Sequence, residues 1–213
     1  PASTACKTCV QGSIVTQEGG SLPVSSAGTK CMACAAGQYS TSPTSVCIKC
    51  GQGKYVAATG SDGESKCILC RAGTYQAQTG QPSCAKCAEG KYGKADETKR
   101  DAEGTGCIAC VAGQYQEGKA QGQCKSCGAG KYGSAVADER KSEGTGCIEC
   151  PKGRYVAAVG TATVGDCAKC RAGTYQEQEG QPKCKECPEG TSNAHEGKEA
   201  AADCIACVAG QYQ

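Results

Sequence analysis

Cysteine pairs are the residues of this chain whose type and spacing could do chemistry. All 22 cysteines among its 213 residues lie in Cys-x-x-Cys pairs, and there are eleven pairs. Such pairs can close disulfides, bind zinc together with a second pair, or exchange thiols in redox catalysis. The pairs begin at Cys6, Cys31, Cys47, Cys67, Cys84, Cys107, Cys124, Cys147, Cys167, Cys184 and Cys204.

The sequence context favours disulfides among these three chemistries. A redox pair needs a helix N-terminus on a βαβ scaffold to lower the pKa of one thiol, and pairs followed by glycine on loops do not supply it. The gaps between pairs match zinc-ribbon spacing, but the pairs are all alike and are not grouped into fours. Zinc is therefore the second interpretation. Disulfides would indicate an oxidising setting outside the cytoplasm, and we expect a secreted or cell-surface protein.

The composition also requires cross-links. Val, Ile, Leu and Met together number 20, and the chain has neither Phe nor Trp. At roughly 25 cal/mol per Å² of buried apolar surface, so few large side chains cannot offset the ordering entropy of the chain. A single hydrophobic core is excluded. The near-balance of 23 basic and 21 acidic residues argues against a charged disordered chain and against nucleic acid as a partner.

A short repeat follows every cysteine pair and gives the unit C-x-x-C-x-x-G-x-Y. Glycine is the third residue after the second cysteine in all eleven units, and tyrosine lies two residues further on in nine. We predict that each of these signature glycines is a turn residue with a positive φ. They are Gly12, Gly37, Gly53, Gly73, Gly90, Gly113, Gly130, Gly153, Gly173, Gly190 and Gly210.

The chain also has a longer repeat of 100 residues, because CIKCGQGKYVAATG from Cys47 recurs as CIECPKGRYVAAVG from Cys147. We predict a partial first unit with a long loop over residues 1–30. Tandem repeats of 16–23 residues follow over 31–213, with a five-unit block at 47–146 repeated from 147. Both ends fall inside the pattern, so we expect an excerpt of a longer array. Repeats of this kind contact mainly their neighbours.

The connectivity of the disulfides is open at this point. Joining the second cysteine of one pair to the first of the next leaves Cys6 and Cys207 for units outside the chain. A loop of about 15 residues would then contribute about 3 kcal/mol. An interlocked first-to-third, second-to-fourth pattern is the alternative, although with eleven pairs it strands one pair. The consecutive pattern gives Cys9–Cys31, Cys34–Cys47, Cys50–Cys67, Cys70–Cys84, Cys87–Cys107, Cys110–Cys124, Cys127–Cys147, Cys150–Cys167, Cys170–Cys184 and Cys187–Cys204.

The repeated run, as in CILCRAGTYQ at residues 67–76 and CAKCRAGTYQ at 167–176, resembles the ephrin-receptor-like cysteine-rich repeat. It is also similar to the first half of a tumour-necrosis-factor-receptor module. The resemblance implies that the glycine turns the chain, that the tyrosine packs over the disulfide, and that the loop closes on the first cysteine of the next pair. It therefore supports the consecutive pairing. Uninterrupted runs of one module are closest in style to repetitive surface proteins of protists and algae.

Few other residues suggest a site. His195 is the only histidine, and we predict no catalytic residue, no metal site and no cofactor, so the chain is not expected to be an enzyme. The hydroxyls around Pro43 are the best candidates for O-glycans, with residues 21–29 second. These candidates are Ser40, Thr41, Ser42, Thr44 and Ser45.

The sequence thus predicts small disulfide-rich repeats in an elongated array of short β-hairpins and loops, with little or no helix. The leading hypothesis for function is an extracellular structural protein, a stapled rod or a filament or surface-coat component that self-assembles and carries O-glycans. Its partners would be copies of itself or other extracellular matrix or surface proteins, with no nucleic acid and no membrane-spanning segment. The alternative is a receptor or adhesion ectodomain that binds a protein ligand, which predicts one divergent unit with an exposed patch.

Overall fold

The computed structural model describes residues 9–17, 29–93 and 100–208. The chain divides into two compact units. The first comprises Pro1–Cys87 with Gly93–Ile108, and the second comprises Ala88–Tyr92 with Ala109–Gln213.

Short strands make up most of the regular structure in the first part of the chain. The strands are β1 Ser13–Gln17, β2 Thr29–Ala33, β3 Gln38–Tyr39, β4 Ile48–Lys49, β5 Lys54–Tyr55, β6 Ile68–Leu69, β7 Thr74–Tyr75, β8 Ala85–Lys86, β9 Lys91–Gly93 and β10 Cys107–Ala109. A one-turn helix, α1 Glu103–Gly106, and a 3₁₀ turn, Glu64–Lys66, complete this part.

The second part repeats the same kinds of element. Its strands are β11 Gln114–Tyr115, β12 Lys125–Ser126, β13 Lys131–Gly133, β14 Cys147–Glu149, β15 Arg154–Tyr155, β16 Ala168–Lys169, β17 Thr174–Tyr175, β18 Lys185–Glu186, β19 Thr191–Ser192 and β20 Ile205–Ala206. The helix α2 Glu143–Gly146 and three 3₁₀ turns, Ala137–Glu139, Val164–Asp166 and Ala201–Asp203, lie between strands.

Consecutive strands pair two by two, so the described residues form ten two-stranded sheets. In the antiparallel registers, the signature tyrosine lies opposite the residue that follows the first cysteine of the next pair, as in Tyr39 with Ile48 and Tyr132 with Ile148. Each hairpin therefore begins just after one signature glycine and ends at the next cysteine pair. The predicted fold class, small hairpin repeats with little helix, is confirmed.

The core consists of sulfur more than of hydrocarbon. Among the described residues, Val56 and Val156 are the aliphatic side chains that are buried. The cysteines with no exposed surface are Cys70, Cys87, Cys127, Cys150, Cys167 and Cys170, and all of them but Cys167 are the second of their pair. Three small clusters of cysteine with valine or tyrosine take the place of one continuous core. This arrangement agrees with the scarcity of large apolar residues.

Candidate functional site

Among the described cysteines, ten disulfides link the repeats in consecutive order, from the second cysteine of one pair to the first cysteine of the next. The two cysteines of each bridge are 13 to 22 residues apart in sequence. They join the cysteines 9 and 31, 34 and 47, 50 and 67, 70 and 84, 87 and 107, 110 and 124, 127 and 147, 150 and 167, 170 and 184, and 187 and 204. Cys207 is free and half-buried, and Cys6 lies outside the described residues.

Signature glycines join their repeat to the following one through backbone hydrogen bonds: all ten described carbonyls accept from the second cysteine of the next pair, and seven of the N–H groups also donate. In the second compact unit, the Gly130 N–H donates to the carbonyl of Val156 over 2.7 Å, and the Gly130 carbonyl accepts from the N–H of Cys150 over 2.9 Å. The same two bonds recur at Gly37 in the first unit, with Val56 and Cys50. Backbone hydrogen bonds therefore continue from one repeat to the next between the disulfides, and buried polar groups are satisfied.

The signature glycines have the positive φ that the spacing predicts, between 71° and 89° at all ten described positions. A second reason for glycine is close approach. A Cβ at Gly130 would lie 1.9 Å from the carbonyl oxygen of Gly180, which belongs to the repeat two further along. A Cβ at Gly37 would lie 2.0 Å from the Gly80 oxygen in the same way. Repeats therefore touch their second neighbours as well as their first, which sequence reasoning did not anticipate.

Signature tyrosines pack on disulfides, as the resemblance implies, but on the disulfide of the following loop. Tyr115 packs against Cys127 and Cys147, although its own repeat closes through Cys110 and Cys124. Tyr39 and Tyr132 pack in the same way on the bridges that begin at residues 50 and 150. The tyrosine therefore stabilises the contact between repeats. Tyr212 lies outside the described residues.

The residue after the tyrosine is bonded to both flanking repeats at six of the eight described tyrosines. The Gln176 carbonyl accepts from the signature Gly153, and its N–H donates to the carbonyl of Lys198 in the following loop over 3.0 Å. The Gln176 side chain is buried, and its Nε2 donates to the carbonyl of Lys183 over 2.8 Å. Gln76 and Gln116 occupy equivalent places. Sequence reasoning missed these glutamines, although their fixed place after tyrosine could have found them.

A glycine five residues after the tyrosine position, which is Ser192 in one repeat, makes the third contact between repeats. The N–H of this loop glycine donates to the carbonyl of the second cysteine in the preceding repeat, as from Gly180 to Cys150 over 2.9 Å. Where the loop has a different length, an arginine side chain donates to the carbonyl of the second cysteine instead. Arg140 donates to the carbonyls of Cys110, Ser134 and Ala135 over 2.8 to 3.1 Å. The loop glycines are Gly60, Gly80, Gly160, Gly180 and Gly197.

The predicted O-glycan residues do not share one environment. The Ser40 side chain is fully buried, and its hydroxyl donates to the Ser42 carbonyl over 2.8 Å, so a transferase could not reach it in the folded protein. Thr41 and Thr44 are exposed, whereas Ser42 and Ser45 are half-buried. The hydroxyls of Ser42 and Thr44 lie 2.9 Å apart. Most of the second candidate segment, residues 21–29, lies outside the described residues.

The sulfurs joined in disulfides carry no thiolate that could bind zinc or act in exchange. Within residues 9–17, 29–93 and 100–208, no group of three or more His, Cys, Asp and Glu side chains could hold a metal ion. His195 is exposed. The same part of the chain contains no helix with the length and apolar character needed to cross a membrane.

Comparison with known proteins agrees with this architecture. Two segments, residues 59–103 and 159–204, match the family model described as tyrosine-protein kinase ephrin type A/B receptor-like. The segments begin 100 residues apart, the same offset that separates the two internal blocks. The resemblance to the ephrin-receptor-like repeat, noted from the cysteine, glycine and tyrosine spacing, is thereby confirmed. No curated protein matches the chain significantly.

Proposed function

Because two segments of this chain are ephrin-receptor-like repeats rich in disulfides, we propose that it is an extracellular structural protein. In this proposal the repeat array is a stapled rod, or a component of a filament or surface coat. The observation that carries the proposal is the bonding of the signature glycines, whose carbonyls accept a backbone hydrogen bond from the next cysteine pair at all ten described positions. A chain built in this way resists extension and proteolysis without needing a large core.

Self-association follows from the internal duplication. Block 47–146 and the residues from 147 repeat the same cysteine, glycine and tyrosine motifs at a fixed interval of sequence, so a contact made through these motifs between two copies can be made more than once. Repeated weak contacts add up through effective concentration. The expected partners are copies of the chain or other matrix and surface proteins. O-glycans would be attached at Thr41 and Thr44, the exposed hydroxyls of the predicted group.

The test combines location with assembly. An antibody against the purified chain should label intact, non-permeabilised source cells. Sedimentation velocity and negative-stain electron microscopy of the natively purified protein should then reveal concentration-dependent filaments or sheets. Labelling only after permeabilisation would overturn the extracellular assignment. A protein that stays monomeric at all concentrations would overturn the assembly.

A receptor or adhesion ectodomain is the second candidate, and the receptor-like family match is the observation that favours it. This function requires one surface that binds a protein ligand saturably. Proximity labelling on intact cells followed by binding of the purified candidate partner would distinguish it. A single partner bound at one site by a monomeric chain would favour the receptor. In both candidates the repeats act without catalysis, through binding and spacing.

A further inference from the structure

A cleft in the second unit lies over a disulfide and is flanked by positive charge. Its volume is about 220 Å³, and its lining residues are Tyr155, Arg171, Thr174, Lys183 and Cys184. Cys184 belongs to the bridge with Cys170, so the floor is covalently fixed. The cleft combines one aromatic ring, one hydroxyl and two cations.

Both cations sit on backbone that is held in place. The Thr174 hydroxyl donates to the Arg171 carbonyl over 2.8 Å, and the buried Gln176 amide donates to the Lys183 carbonyl over 2.8 Å. The side chains of Arg171 and Lys183 are exposed. A site whose backbone is already ordered loses less entropy when a ligand binds.

These two charges are not neutralised by ion pairs. Neither Arg171 nor Lys183 forms a salt bridge within the described ranges, whereas the neighbouring Glu177 is paired with Lys185. Glu186 lies opposite Thr174 in the hairpin and is the acidic group nearest in register. The cleft therefore has a positive charge available for an anion.

The first block of the chain contains the same scaffold with one lining cation fewer. Tyr55, Arg71 and Thr74 occupy the corresponding positions 100 residues earlier, but Ser83 replaces Lys183. The supporting bonds are the same: Thr74 donates to the Arg71 carbonyl over 2.7 Å, and Gln76 donates to the Ser83 carbonyl over 2.6 Å. Outside the lining the charge changes in the opposite direction, because Glu186 of the second block replaces Lys86 of the first. The cation that distinguishes the second cleft is therefore Lys183.

We propose that this cleft, formed by Tyr155, Arg171, Thr174 and Lys183, binds an acidic polysaccharide through a sulfate or carboxylate group on one sugar ring. Arg171 offers a planar fork of donors to the acid group, and Lys183 adds a point charge. The half-buried Tyr155 ring gives an apolar face beside the cations, which suits a flat carbohydrate ring. The volume is below the roughly 300 Å³ at which pockets for larger ligands begin, so it fits one ring of a longer chain. This site is independent of whether the chain assembles into a filament.

Binding of the intact, oxidised chain to immobilised dextran sulfate and polygalacturonate, with neutral dextran as the blank, tests the proposal. Sulfate and carboxylate are separate arms of the measurement. We expect Arg171→Gln to weaken binding to the preferred polymer by about tenfold and Lys183→Ser by about three- to tenfold at physiological ionic strength. The matched control, Arg71→Gln in the first block, should change affinity by less than about twofold. Ser83→Lys should create a second site and raise the amount bound.

The internal control makes a general charge effect recognisable. Equal losses for Arg71→Gln and Arg171→Gln would mean that net charge, and not the cleft, attracts the polymer, and would overturn the proposal. Equal retention on neutral dextran would overturn the role of the acid group. Poly-glutamate binding as tightly as either polysaccharide would replace the carbohydrate by an acidic peptide. Each variant is checked for its ten disulfides by intact mass before binding is measured.

Discussion

One left-handed backbone position in the described chain lacks glycine. Ala120 has a φ of 59° and lies five residues after Tyr115, where Gly80 and Gly180 lie after their own tyrosines. A Cβ in this conformation is crowded by the following carbonyl, which costs roughly 1–2 kcal/mol. The repeat to which Ala120 belongs therefore carries a local cost that the others avoid.

We predict that Ala120→Gly stabilises the protein by about 1 kcal/mol, because removal of the Cβ relieves this strain by more than the entropy that glycine costs. Denaturant unfolding with the disulfides intact measures the change. The control is Gly180→Ala, which should destabilise the protein. The alanine would have to keep the positive φ of this position, and its Cβ would lie 3.0 Å from the Glu149 side chain. An Ala120→Gly variant no more stable than the parent would show that the backbone at Ala120 is not strained.

The pKa of Tyr115 depends on the burial of its ring and on the charges beside it. Burial raises the pKa of its phenol above the usual value, and the charge of Glu143, whose Oε2 lies 3.3 Å from the hydroxyl, raises it further. Glu143 itself has a lowered pKa because Lys131 binds it over 3.1 Å. A phenol with a raised pKa in the folded state contributes stability that is present below the pKa of the unfolded chain. That stability is lost as pH rises through the folded-state pKa.

Glu143→Gln should therefore lower the pKa of Tyr115, because the negative charge that opposes phenolate formation is removed. An NMR titration of ring-labelled tyrosine measures the shift at alkaline pH. Glu179→Gln provides a control with the same charge change in the same unit, and should leave the Tyr115 titration where it was. A Tyr115 pKa that rises or stays fixed in Glu143→Gln would contradict the role given to Glu143.

At the scale of the repeat, two signature glycines separate the effects of φ and of close approach. Gly130 and Gly173 have φ values of 85° and 79°. A Cβ at Gly130 would meet the Gly180 oxygen at 1.9 Å, whereas a Cβ at Gly173 would have nothing within 4 Å. Alanine at either position suffers the backbone strain, but only at Gly130 must a neighbouring repeat also move.

Gly173→Ala should accordingly cost about 1–2 kcal/mol and Gly130→Ala distinctly more, because the latter also disrupts packing between repeats. Thermal and denaturant unfolding of the two oxidised variants supply the comparison. Hydrogen exchange of the backbone amides of residue 130, which donates to the Val156 carbonyl, and of Cys150, which donates to the residue 130 carbonyl, should accelerate in Gly130→Ala. Equal destabilisation of the two variants would show that φ alone requires glycine, and the contact between second neighbours would lose its role.

The sequence predicts the hairpins and the signature glycines because those follow from local spacing. The contact partners of Tyr115 could not be predicted, since tyrosine spacing is the same whether the ring lies on its own disulfide or on the next. The contact between Gly130 and Gly180 depends on how far successive hairpins advance, which is a property of packing. Ser40 was predicted as a glycan acceptor from its neighbours in sequence, whereas its position after Tyr39 places it among the buried residues that join repeats.

For the molecule as a whole, reduction should remove most of the folding free energy. Few aliphatic side chains are buried, and the three clusters of buried apolar residues all contain disulfide sulfur. We predict that the reduced, alkylated chain loses its hairpin structure and becomes sensitive to proteases, while the oxidised chain resists digestion. Circular dichroism and timed proteolysis of both forms provide the measurement. A reduced chain that kept its β-structure would indicate a core other than the disulfides.

Disulfide mapping tests the central claim, that consecutive bridges join each repeat to the next. A lysine separates the two cysteines in several pairs, including Lys169 between Cys167 and Cys170, and Lys185 between Cys184 and Cys187. Tryptic digestion of the non-reduced protein therefore distinguishes the two patterns by mass spectrometry. If the bridges are consecutive, the Cys184 peptide is linked to Cys170. A Cys184 peptide linked to Cys167, or recovered with a free thiol and bound zinc in the native sample, would contradict this claim.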